Sequence, residues 1–116
     1  MQIDQNFFQQ GDVLIRKIDS LPENLKQVSA GPKGFVLREG EVTGHAHRVD
    51  VSQFTDVDTD FELFEDSDGT MYFKSDIECV VTHEEHGPQT IPAGIHKVGA
   101  VQEYNHLTEE SEAVKD

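Results

Sequence analysis

Apolar and polar residues alternate along this chain in short runs, and before the C-terminal end no 3.6-residue period is sustained for three helical turns. Gly11 precedes the β-branched run 12–18, which reads as a first strand closing at Leu21-Pro22. Residues 21–33 carry Pro22, Gly31 and Pro32, the composition of a surface loop, with one helical turn expected around residues 23–26. Residues 34–38 predict a second strand, residues 39–44 a turn, and residues 45–51 the antiparallel partner. The runs 61–65 and 70–74 flank Asp66-Ser67-Asp68-Gly69, a hairpin pattern with glycine where positive φ is needed. A strand over 77–82, a turn over 84–89 and a last strand over 95–104 complete the set. Some seven strands roughly 8–12 residues apart predict an all-β fold, a small antiparallel barrel or sandwich with less than a quarter helix. Alternation points Val13, Ile15, Phe35, Leu37, Phe61, Leu63, Tyr72, Ile77, Cys79 and Val98 inward.

With 116 residues there is room for one domain, placed at residues 1–106, followed by a short helix or flexible tail over 107–116. The hydrophobic share of 35% is below the globular norm, so apolar residues must be spent on one face of each strand. The formal charge of −14 repels phosphate backbones and anionic membrane surfaces while drawing in cations and basic proteins. Nucleic-acid binding is therefore expected to be absent. Cys79 is the single cysteine, which rules out an intrachain disulfide and reads as a small buried hydrophobe. The chain shows neither the pattern of a signal peptide nor an apolar run long enough to span a bilayer, and the expected compartment is the cytoplasm.

The candidate chemistry lies in six histidines, at 45, 47, 83, 86, 96 and 106. The two-residue period of a strand puts His45 and His47 on one face, where a single ion can take a nitrogen from each. His83 and His86 flank Glu84-Glu85 at a strand end, where a turn can carry an imidazole over to the first pair. Histidines 45, 47, 83 and 86 thus form a candidate site for a divalent metal: zinc, iron, manganese or nickel. Glu41, Glu84 and Glu85 are carboxylates within sequence reach of it. Asp56-Val57-Asp58-Thr59-Asp60 imitates the start of a calcium loop, but Phe61 and Ser67 stand where such a loop needs glycine and glutamate.

Two resemblances bear on these residues. His45-Ala46-His47, followed much later by Pro92-Ala93-Gly94-Ile95-His96, resembles the paired motifs of cupins, jelly-roll barrels that hold a metal through histidines and a glutamate. Val51 and Ser52 stand where that glutamate is expected, so the resemblance implies the barrel rather than the intact ligand set. More closely, the chain resembles a family of short uncharacterised bacterial and phage proteins. Its motifs are Gly-Asp-Val-Leu (from Gly11), Gly-Glu-x-Thr-Gly-His-x-His (from Gly40 to His47) and His-x-Glu-His (from His83 to His86). That resemblance implies a grouping of the four histidines and no particular activity.

Two readings of function follow. In one, the chain is a metal-binding, cupin-like protein, either an enzyme using metal-activated water or oxygen or a sensor of a small-molecule ligand. In the other it is a non-catalytic, phage-derived interaction protein whose acidic surface docks a basic protein partner, with histidines that only brace loops. The apolar runs 61–64 and 71–73 suggest a face covered by a homodimer.

Overall fold

The alternating runs become ten strands among the residues that the computed structural model describes, 7–40 and 44–100. They are β1 (Phe7–Gln10), β2 (Val13–Ile18), β3 (Lys26–Val28), β4 (Phe35–Glu39), β5 (Ala46–Val49), β6 (Phe61–Glu65), β7 (Met71–Ser75), β8 (Cys79–Thr82), β9 (Gln89–Ile91) and β10 (Gly94–Ala100). Every pairing is antiparallel, in a six-stranded sheet ordered β1-β2-β10-β7-β6-β3 and a four-stranded sheet ordered β4-β5-β8-β9. Helix among the described residues is confined to a 3-10 turn at Val51–Gln53 and a single turn, α1 (Val57–Asp60). The architecture is a sandwich-like all-β fold, as the strand spacing predicts.

The inward residues of both sheets form one core, with Val13, Ile15, Phe61, Leu63, Phe73 and Val98 from the large sheet against Phe35, Leu37, Val49, Cys79, Val81 and Ile91 from the small one. Phe61 is its hub, its ring 4.6 Å from Phe35, 5.3 Å from Phe54 and 5.2 Å from Phe73. Burial pushes the Cys79 thiol up to about 11, which keeps it protonated and inert as a nucleophile.

Two inward assignments need correction. Ile77 is 40% exposed, because β8 starts only at Cys79 and Ile77 lies in the turn that leaves β7, where its carbonyl accepts from Ser75 Oγ at 2.6 Å. Tyr72 is buried, but it is Phe73 that enters the core. Met71-Tyr72-Phe73 has no internal alternation to set its phase; the register with β6 does so, pairing Phe73 with inward Leu63 and Tyr72 with Phe64. The expected helical turn at 23–26 is absent as well. Asn24 takes φ 63° and the chain enters β3, an edge strand on β6. Strands β1, β3 and β9, each three or four residues long, were not anticipated. Glu41, His106, residues 101–104 of the expected last strand and the 107–116 helix or tail lie outside the described residues.

One side chain extends a ladder where backbone gives out. Strand β5 ends at Val49, leaving the next residue of β8 unpaired on that side, and the Gln53 amide takes the place of the missing strand. It donates to the Val80 carbonyl at 2.9 Å and accepts from the Val80 N–H at 2.6 Å. Gln53→Ala is expected to cost about 1–2 kcal/mol in urea unfolding, the net worth of two hydrogen bonds at a half-buried position. A change within error of zero would show that water replaces the amide without loss.

Candidate metal centre

The register that builds the small sheet also assembles the histidines. Strands β5 and β8 pair antiparallel with Arg48 opposite Thr82 and Val49 opposite Val81, so continuing the register sets His47 opposite His83 and His45 opposite Glu85. Val49 and Val81 point into the core, and alternation sends His47 and His83 to the same inner face, at the end of the sandwich. The His47 and His83 rings lie 4.3 Å apart, as cross-strand neighbours should. The His45 ring stands edge-on to His83 at 5.7 Å, and His86, in the turn after β8, lies 4.8 Å from His83 and 6.3 Å from His47. All four predicted site histidines therefore meet in one cluster.

Glu84 joins them from the same turn. Its Oε1 accepts from the Ala46 N–H at 2.9 Å and its Oε2 from Arg48 Nη1 at 2.6 Å. The backbone amide and the guanidinium hold its carboxyl at about 2, so Glu84 is ionised throughout the physiological range. One donor atom each from His45, His83 and Glu84 lie within 4.8 Å of one another, a spacing that can hold one ion. His45 Nδ1 is buried without a hydrogen-bond partner, its nearest charge being Glu85 Oε2 at 3.7 Å. His83 Nδ1 accepts from the Glu85 N–H at 3.0 Å.

Sequence reasoning missed the contribution of the N-terminal hairpin. Strands β1 and β2 pair through Gln10 and Val13, leaving Gly11 and Asp12 as a two-residue turn with φ 59° at Gly11, the residue such a turn gives to glycine. A Cβ on Gly11 would meet His86 Nε2 at 2.5 Å, so glycine suits the φ here and lets the His86 ring lie against the turn. Gln10 is buried and ties the two sheets together: its amide nitrogen donates to the carbonyls of Val81 and Gly87, each at 2.9 Å. With both amide hydrogens used, its oxygen takes the hydrogen of His47 Nδ1 at 2.8 Å, which fixes the tautomer of that ring. His47 is only 1% exposed, and burial, reinforced by His83, lowers its pKa to about 4. The signal in the sequence is Gln10-Gly11-Asp12 at the head of the first strand run, where Gly11 reads as a boundary and Asp12 as part of the strand.

His96 has no part in this cluster. It is fully buried on β10, paired with Phe73 at 4.9 Å between ring centroids and bonded through Nε2 to the Pro92 carbonyl at 3.0 Å. His96 therefore stands apart from His45 and His47, in keeping with a site built without it. No helix among the described residues is long and apolar enough to cross a membrane.

Residues 9–100 match the family described as "Domain of unknown function (DUF8820)", and the chain belongs to that family. Neither a curated protein nor a solved structure matches it.

Proposed function

We propose that this member of the DUF8820 family binds a divalent metal ion at the end of its sandwich, through His45, His83 and the Glu84 carboxylate, with His47 and His86 beside them. The observation that carries the reading is the approach of the first three donors to within 4.8 Å of one another. Two details support it. A buried His45 Nδ1 without a partner is costly unless something fills its coordination, and an ion would do so. Glu84 is already a carboxylate, so binding need not displace a proton from it. Ligation by His83 through Nδ1 would exchange the hydrogen bond from the exposed Glu85 amide for the ion, and that amide can turn to water.

Two imidazoles and one carboxylate suit zinc, iron(II), manganese or nickel, and leave coordination positions open for water or a small-molecule ligand. The net charge of −14 raises the local cation concentration and works in the same direction. We place the protein in the cytoplasm, where its one cysteine, buried and free, stays reduced.

The test is metal content after saturation with each of the four ions and gel filtration. At least one ion per chain is expected for one of the metals, with loss of binding at this position in the His45→Ala/His83→Ala variant and an unchanged far-UV spectrum. Metal-free protein after all four loadings would refute the reading.

A further inference from the structure

We propose that the cluster holds a second cation, between His47 Nε2 and the Asp12 carboxylate, so that the end of the sandwich is a two-ion site. The inference rests on the cluster being a metal site and adds Asp12 to it, a residue of the β1–β2 turn.

Gln10 decides which nitrogen of His47 carries the hydrogen. Because both of its amide hydrogens go to the Val81 and Gly87 carbonyls, its oxygen must accept, and the His47 hydrogen is committed to Nδ1. The Nε2 of the neutral ring is then a bare lone pair, on a side chain 99% buried. What faces it is Asp12 Oδ1 at 3.5 Å, also an acceptor. Two acceptors aimed at each other across a partly dry gap repel unless something positive lies between them.

A proton is a poor fit. The 3.5 Å separation exceeds the length of a good N–H···O bond, and an imidazolium here would be buried beside the His83 and His86 rings. A metal ion fits the distance. Placed about 2.1 Å from each atom, as zinc–nitrogen and zinc–oxygen bonds require, it would subtend an angle of about 113° at the metal, close to tetrahedral. Asp12, with its side chain 53% exposed, leaves the outer side of that position open to solvent. His86, whose Nε2 lies against Gly11 next in the chain to Asp12, brings a further imidazole to the same turn. The His83 ring forms the wall shared with the first position, 4.3 Å from His47 and 5.7 Å from His45.

Gln10 acts as a positioning residue in this arrangement: by holding Nδ1–H it presents Nε2 to the ion, the part that carboxylates and carbonyls play behind metal-bound histidines.

The experiment is zinc stoichiometry by native mass spectrometry on the full chain, its Asp12→Asn variant and the His45→Ala/His83→Ala variant. Each variant is checked for fold by circular dichroism. Asparagine keeps the size of Asp12 at an exposed turn and removes its charge. The expected result is two ions for the wild type and one for each variant. Two-dimensional 15N–1H spectra of the double variant should show the His47 Nε2 resonance shifting with the remaining ion. Two ions in both wild type and Asp12→Asn would overturn the role of Asp12. One ion in the wild type, kept by Asp12→Asn or lost in both variants, would overturn the second position while the metal reading stands. No zinc in any of them, followed by none on reloading with iron(II), manganese or nickel, would overturn both.

Discussion

Phe61→Ala is expected to lower the free energy of unfolding by about 3–5 kcal/mol. The phenylalanine is 1% exposed and packs against three other rings, those of Phe35, Phe54 and Phe73. Removing it opens a cavity lined by residues of both sheets, whose strands cannot close the gap without giving up hydrogen bonds. Domains of this size have total stabilities of about 5–15 kcal/mol, so the variant should sit near the edge of folding. Guanidinium unfolding would measure it. Val51→Ala is the control: that side chain is 38% exposed, and its loss should change stability by no more than about 0.5 kcal/mol. If the two variants differ by less than about 1 kcal/mol, the core has been wrongly centred on Phe61.

Acid should destabilise the metal-free protein through His47 by on the order of 3 kcal/mol between pH 6.5 and about 4. The sign follows from which state holds the proton. In that window the unfolded chain carries His47 protonated, at its ordinary pKa of 6.5, while the folded chain keeps it neutral down to about 4. Unfolding therefore takes up a proton, and falling pH favours it. His96, also held down by burial, works in the same direction. Glu84 acts lower on the scale: its carboxyl is depressed from 4.5 to about 2, so its contribution is present above 4.5 and is lost as pH falls toward 2. The excess of acidic groups complicates the raw profile, since their protonation relieves repulsion. The clean measurement is the difference between wild type and His47→Gln in urea unfolding at pH 7, 5.5 and 4. That difference should shrink by about 3 kcal/mol across the series, and a constant difference would rule out a buried neutral His47.

The parts of the fold that could be read from sequence are those with a run of β-branched or aromatic residues bounded by turn formers, or with a turn signature. β2, β4, β5 and the β6–β7 hairpin were legible because Val13-Leu14-Ile15, Phe35-Val36-Leu37 and the Asp66 to Gly69 turn each carry a local signal. β3 and β9 were not, because three residues such as Lys26-Gln27-Val28 hold no period and become strand only by pairing with β6. Tyr72 and Phe73 show the same limit inside a strand, where a neighbouring register decides the phase. The site divides along the same line. His45 and His47 share a face by local alternation, and the strand end carries His83 and His86. The pairing of His47 with His83, the anchoring of Glu84 on Ala46 and Arg48, and the arrival of Gln10 and Asp12 from the other sheet all depend on contacts between residues more than 30 positions apart.

Between the two strands that carry the histidines, the chain leaves the small sheet at Val49, builds β6 and β7 in the large one, and comes back at Cys79. Closing so long a loop costs entropy before any β5–β8 contact repays it, so this pairing is expected to form late. The two histidine pairs are then strangers to one another until the β5–β8 ladder has formed. An ion that needs them together would find little to bind in the collapsed chain or in a transition state that lacks that ladder. It should act as a latch on the finished molecule: unfolding becomes slower with bound metal, while the rate of refolding hardly moves.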